Sequence, residues 1–469
     1  MRITAASGPS LLLVSVSAAY FDVVNPATGA SLAKVPDVSG AGVDAAVTAA
    51  HQAYADWRRD DARRSALLRS AADSVESATP ELAPLLTAEQ GKPLSESRRE
   101  LAGTAAWLRY YADADLTPGT LPSSLSGRAT RVRRPIGVVA AISPSNFPVL
   151  LSMSKVAPAL RVGNTVVLKP SPYTPLTVLQ VGEFLSAVLP AGVFQVVTGR
   201  EVAGARLTTH PLVREVSFTG STAVGRTIAQ NVSGDLKRLV LELGGNDPLI
   251  VLDDADPGKI ADEVFWRAFD NNGQAGVAPK RIYVAEELRA ALVDALAALA
   301  DGAKVGDGMN LGVQLGPLNN APQRARVAAL VEETRAHGAS VVAGGRPLGR
   351  DGYFYAPTIV TGVDPRERLV TEEQFGPALP VVGYRDLDDA IRWANEGAYG
   401  LGSSVWGADE TRAAMVADQL NTGLSWINTH TTRPATFPFA GAELSGVGVE
   451  GSVPGLDSYS DIQTRYVAA

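Results

Sequence analysis

The chain has 469 residues, 46% of them hydrophobic and 19% charged, with a formal net charge of −7; that length asks for two or three domains with large buried cores. No Lys/Arg block is long enough for a nucleic-acid tract, and no stretch approaches the roughly 18 apolar residues of a membrane span, so a cytoplasmic protein with neither partner is expected. Cysteine is absent, which excludes disulfides, thiolate metal sites and any thiol nucleophile of the chain's own; His51, His210, His337 and His430 are too scattered for a zinc site, and no metal is expected.

Residues 11–16 are apolar and follow Arg2, but the run is too short to read as an export signal. Residues 20–24 read as a strand running into the turn Asn25-Pro26-Ala27-Thr28-Gly29. Apolar residues at helical spacing then predict helices over 41–57, 61–78, 80–90 and 93–113. Residues 123–134 are polar and basic, the pattern of an exposed ribbon. Residues 136–142 form a nearly pure apolar run rich in β-branched side chains, as in a strand buried on both faces of a parallel sheet. Similar runs recur at 165–168, 193–198, 215–218 and 239–242, with helices over 174–189 and 223–232 between them. This alternation predicts a doubly wound parallel sheet. A second alternating block follows: helix 257–268, strand 281–284, helices 286–300 and 321–337, strand 339–342 and helix 386–396. The chain ends on a strand-like piece, 458–467. Open α/β sheets bind ligands beyond the carboxyl ends of their strands, so the loops after these runs are where chemistry is expected.

Those loops carry distinctive blocks. Pro144-Ser145-Asn146-Phe147-Pro148 follows the first buried run, and Lys169-Pro170-Ser171-Pro172 follows the second. Phe218-Thr219-Gly220-Ser221-Thr222-Ala223-Val224-Gly225 is a strand opening into a helix. Gly220 permits a tight turn, Ser221 and the unpaired first-turn N–H groups can bind a pyrophosphate, and Gly225 lets the helix pack closely. Glu242-Leu243-Gly244-Gly245-Asn246 ends an apolar strand on a carboxylate, which is either satisfied by backbone N–H groups or tuned as an acid/base. Phe269-Asp270-Asn271-Asn272-Gly273-Gln274-Ala275-Gly276-Val277-Ala278 comes next, then Glu372-Glu373-Gln374-Phe375-Gly376-Pro377. The last blocks are Trp426-Ile427-Asn428, Pro438-Phe439-Ala440-Gly441 and Ser445-Gly446-Val447-Gly448.

In this order and spacing the blocks resemble the aldehyde dehydrogenase superfamily from about residue 20 to the C-terminus. The resemblance implies an α/β fold with three parts: a Rossmann-type parallel-sheet NAD(P)-binding domain (1–115 and 136–244), an α/β catalytic domain (245–450) and a small oligomerisation ribbon (116–135 and 451–469). It implies a homodimer or homotetramer acting on a small molecule. It makes Asn146 the oxyanion donor and Glu242 the general base. It assigns Lys169 and Ser171 to the adenosine ribose, Gly220, Ser221 and Gly225 to the pyrophosphate, Glu373 to the nicotinamide ribose and Phe375 to the ring beside it. Pro172 stands where NAD-preferring members often carry a carboxylate, so NAD and NADP both stay open. Ser145 replaces the usual tryptophan before the asparagine. The closing segment implies a loop bordering the substrate mouth; Arg433 within it is either a partner for a substrate carboxylate or a solvated surface residue. Trp107, Phe147 and Phe437 either line an apolar tunnel or pack a core.

One position departs decisively. The family places its nucleophilic cysteine two residues after the Gln of the Gly-Gln pair, and this chain has Gly276 there, 34 residues after Glu242, at the family's interval. In the family a thiolate attacks the aldehyde, hydride leaves for the nicotinamide, and water releases a thioester. Glycine cannot begin that sequence. Three readings remain: an NAD(P)-dependent hydride transfer on an aldehyde, imine or related carbonyl without a cysteine thioester; a pseudoenzyme or cofactor-binding scaffold; and a nucleophile mutant of an ordinary aldehyde dehydrogenase.

Overall fold

A computed structural model describes residues 19–122, 126–431 and 434–469; the apolar run 11–16 and Arg433 lie outside these. The first sheet is built on Val138–Ile142, which pairs in parallel with Thr165–Lys169 on one side and Val213–Thr219 on the other. Phe194–Val196 extends one edge. Arg238–Glu242 extends the other, where Gly446–Val447 adds a short antiparallel rung. Every residue of Val138–Ile142 and Thr165–Lys169 is buried, as expected of strands covered by helices on both faces. Several helices begin where the sequence supplies acceptors: Ser39 accepts from the Gly42 N–H, Asp60 from Arg63 and Asn320 from Gln323.

A second sheet runs in the order Ser340–Ala343, Thr358–Thr361, Ala378–Tyr384, Pro279–Ala285, Asp247–Val251, Gly402–Trp406, Leu424–Ile427, with only its first pair antiparallel. The chain enters it directly from the first: Glu242 ends one strand and Asp247 begins the next. The carboxyl edge of the first sheet therefore meets the amino edge of the second. This corrects one expectation from the sequence. The second sheet offers the loops that precede its strands (Asn246, Gly276, Phe375 and Leu401), not those that follow them, because the short crossover leaves the strand starts nearest the first sheet.

A third, antiparallel sheet joins Gly119–Leu121, Arg128–Pro135 and Ser460–Val467. The segment read as a strand over 458–467 is one from Ser460 to Val467, preceded by a short helix, Ser452–Ser458, that was not expected. Ile462, Tyr466 and Val467 on it are exposed. No helix among the described residues is long and apolar enough to cross a membrane.

Candidate active site

Strand register aligns the first set of residues. Ile142 pairs with Lys169 and with Phe218, and Thr219 pairs with Glu242. Asn146, Lys169, Ser171, Gly220, Ser221 and Glu242 thus all emerge at one carboxyl edge. Lys169 is buried, its stem lying along the helix Glu201–Thr209: a Cβ on Gly204 would stand 3.6 Å from its Cε. Burial pushes its ammonium down to about 8, opposed by the Asp37 carboxylate. Ser171 accepts from the Tyr173 N–H at 3.3 Å.

At the glycine turn the Gly220 N–H donates to the Glu242 carbonyl at 3.0 Å. Ser221 is exposed and caps the helix Thr222–Val232 by accepting from the Val224 N–H. First-turn N–H groups have no partner within the helix, so this end presents donors to an anion. Gly225 is required for packing: a Cβ there would stand 2.3 Å from Leu243 Cδ2.

Glu242 is 2% exposed. The turn after it joins three elements. The Gly244 N–H reaches Thr222 Oγ1 at 3.3 Å, and the Gly245 N–H reaches Glu373 Oε1 at 3.3 Å. A Cβ on Gly245 would lie 2.6 Å from the Gly276 carbonyl oxygen. Burial raises the Glu373 carboxyl and lowers the Lys280 ammonium, and each is partly restored by the charge of the other. Phe375 takes a left-handed φ of 49°, held as its carbonyl and that of Gln374 accept from Gln323 Nε2 at 2.9 and 2.6 Å.

The turn leading to Gly276 is strained. Asn271, Asn272 and Gly273 have φ of 50°, 57° and 75°, and a left-handed non-glycine residue costs on the order of 1–2 kcal/mol. Hydrogen bonds fix it: Asn271 Nδ2 donates to the Asn146 carbonyl at 2.9 Å, Lys280 Nζ to the Gly273 carbonyl at 2.6 Å, and the Asn319 N–H to Gln274 Oε1 at 2.9 Å. Asn146 is 6% exposed and its Nδ2 donates to the Gln274 carbonyl at 2.9 Å, leaving the second N–H of that amide for another acceptor. Gly276 itself is half-buried, with an ordinary backbone conformation. A Cβ there would meet Leu401 Cδ2 at 3.4 Å and nothing else within 4 Å beyond its chain neighbours.

The structure adds residues that the sequence did not single out. Lys92 and Glu100, both wholly buried, pair at 2.7 Å. Lys92 Nζ also donates to the Asn146 carbonyl at 2.7 Å and sits 3.8 Å from the Phe147 ring centroid. Lys155 pairs with Glu450 and donates to Thr219 Oγ1 at 2.6 Å, and Thr219 is the register partner of Glu242. A single lysine amid the apolar residues of the helix Pro148–Val162 was the available signal for the second pair. Trp107 belongs to the main hydrophobic cluster, whereas Phe437 is exposed.

Comparison with known proteins decides the family. A profile described as "Aldehyde dehydrogenase family" matches residues 14–465. The chain belongs to the aldehyde dehydrogenase family. It is 40% identical to phenylacetaldehyde dehydrogenase of Pseudomonas fluorescens over 95% of this chain and 92% of that one. It is 38% identical to the NADP(+) succinate-semialdehyde dehydrogenase of Escherichia coli K12, covering 94% and 93%. The solved NAD+ complex of a Bacillus cereus aldehyde dehydrogenase superposes with a TM-score of 0.93 at 35% identity, covering 96% of this chain and 93% of that one. The α/β architecture read from the sequence is therefore the aldehyde dehydrogenase fold, in a member of this oxidoreductase family whose sequence contains no cysteine.

Proposed function

We propose that this aldehyde dehydrogenase family member is an NAD(P)-dependent oxidoreductase that acts on an aldehyde, imine or related carbonyl substrate without an acyl-enzyme. One observation carries the reading. Asn146, Lys169, Ser171, Gly220, Ser221 and Glu242 follow strands at one carboxyl edge, and on the turn that Asn146 hydrogen-bonds, Gly276 offers space and no nucleophile. Bound NAD or NADP would supply a two-electron hydride acceptor or donor.

The residues fit that cofactor. Lys169 and Ser171 would hold the adenosine ribose, and the donors beginning at Ser221 the pyrophosphate. Gly220 and Gly225 keep the approach open, and Glu373 would accept from the nicotinamide ribose beside Phe375. Asn146 would donate its free amide N–H to the substrate oxygen, where a fixed dipole stabilises developing charge. Glu242, desolvated at a strand end, would take or return the proton. The division into a cofactor domain (1–115 and 136–244), a catalytic domain (245–450) and a ribbon (116–135 and 451–469) is supported by the three larger sheets, whose strands fall in those ranges apart from the rung Gly446–Val447. An exposed edge such as Ser460–Val467 invites pairing with a second copy, making a homodimer or homotetramer.

The test is turnover of aldehydes and cyclic imines in both directions with NAD(H) and NADP(H), with intact mass spectrometry of the quenched enzyme. Turnover without an acyl adduct is expected. A chain that binds NAD(P)H but converts no substrate is a scaffold, and the proposal then fails.

A further inference from the structure

Resting on that reading, we propose that the substrate arrives with sulfur already attached, as the thiohemiacetal of an aldehyde and a low-molecular-weight thiol. An aldehyde carbon must become tetrahedral, carrying both its hydrogen and a hydroxyl, before it can lose hydride and end as an acyl product. Among the described residues, no nucleophilic side chain lies within 4 Å of where a Cβ on Gly276 would stand, so none there can form that adduct. The chain has no cysteine, the neighbours from Gly273 to Pro279 include no serine, threonine or lysine, and Lys280 Nζ is committed to the Gly273 carbonyl at 2.6 Å. The fourth substituent on carbon must therefore come with the substrate, as oxygen in a hydrate, nitrogen in a hemiaminal or sulfur in a thiohemiacetal.

The surroundings of Gly276 select among these. Among the described residues, the direction a side chain would take meets the Leu401 methyl alone, Cδ2 at 3.4 Å, and that same methyl closes the space above Gly245, 2.8 Å from where its Cβ would be. A hydroxyl or amine set against a methyl forfeits its hydrogen bonds to water. Sulfur is polarizable, hydrogen-bonds weakly and packs well there. Asn146, whose Nδ2 lies 2.9 Å from the Gln274 carbonyl, would meet the oxygen, and Glu242 the proton.

The chemistry balances. Outside the protein, the thiol adds across the aldehyde carbonyl, breaking its S–H bond and the carbonyl π bond and forming one C–S and one O–H bond. Oxidation then breaks the C–H and O–H bonds and makes the carbonyl. Two electrons leave as hydride to the oxidised nicotinamide dinucleotide, the hydroxyl proton goes to the Glu242 carboxylate, and a free thioester departs. No bond to the protein forms.

The experiment follows NAD(P)H formation by the full chain with phenylacetaldehyde alone, with added N-acetylcysteamine, and with added ammonium. It identifies the product by mass spectrometry. In parallel, the fluorescence of bound NAD(P)H is titrated with the N-acetylcysteamine thioester. The thiol should raise the rate by about tenfold or more, give the thioester as product and make that thioester perturb bound NAD(P)H. Reduction of a protein disulfide cannot explain such a rise, since the chain has no cysteine. In Gly276→Val the thiol effect and the thioester response should vanish while NAD(P)H still binds. Equal turnover without thiol, or stimulation by ammonium instead, overturns the proposal and leaves thioester-free hydride transfer standing. No turnover under any condition, with no thioester response, overturns both.

Discussion

Installing a thiol at position 276 should turn the chain into an ordinary aldehyde dehydrogenase. The substitution Gly276→Cys needs no rearrangement: the new Cβ would stand 3.4 Å from Leu401 Cδ2, an ordinary contact, and Gly276 is not among the positive-φ glycines. Removing a covalent nucleophile from a working site costs on the order of 10⁶ in rate, or about 8 kcal/mol of barrier. Supplying one to a site that retains Asn146 and Glu242 should recover a large part of that. The assay is NAD(P)H formation with aldehyde, and the variant brings its own controls. Its single cysteine can be counted by alkylation, and the pH dependence of that alkylation reports whether the thiol is activated. Intact mass should reveal an acyl adduct during turnover. A variant that alkylates stoichiometrically and binds cofactor, yet oxidises no aldehyde, would refute the assignment of Gly276 to the reacting position.

Three further outcomes follow from the same geometry. Lys92→Met leaves Glu100 as an unpaired charge at 0% side-chain exposure, so urea unfolding should show a loss of about 3–5 kcal/mol; a loss under about 1 kcal/mol would mean the pair is hydrated. Lys169 holds its proton up to about 8 and loses its charge above that, so raising the pH from 7 to 9 should weaken cofactor binding roughly tenfold. Lys169→Met should bind weakly and without that slope. Finally, Ile462→Lys on the exposed strand Ser460–Val467 should lower the mass seen by analytical ultracentrifugation, whereas an unchanged oligomer would place the interface elsewhere.

The first sheet was legible because its central strand Val138–Ile142 is uniformly apolar, its neighbours carry β-branched runs, and several end in punctuation: Lys169-Pro170, Thr219-Gly220, Glu242-Leu243-Gly244. The second was harder. Asp247–Val251, Ala378–Tyr384 and Gly402–Trp406 begin or are interrupted by Pro248, Pro380, or Gly402 with Ser403 and Ser404, residues that argue against strands when judged alone. Burial on both faces overrides them. The ion pairs beneath the site were not legible as pairs. Lys155 and Glu450 lie 295 positions apart, and only the folded contact joins them. Even the strained turn Asn271–Gly273 was visible merely as a motif, because its left-handed backbone depends on hydrogen bonds from Asn271 to Asn146 and from Lys280 to Gly273.

The dinucleotide site is proposed to be intact although glycine stands at position 276. Equilibrium titration of the unmodified chain with NADH and NADPH, read by nicotinamide fluorescence, tests it most directly. Saturable binding of at least one of them, weakened by Glu373→Ala and by Gly225→Val, is the predicted result. Absence of binding by either at millimolar concentration would contradict the account.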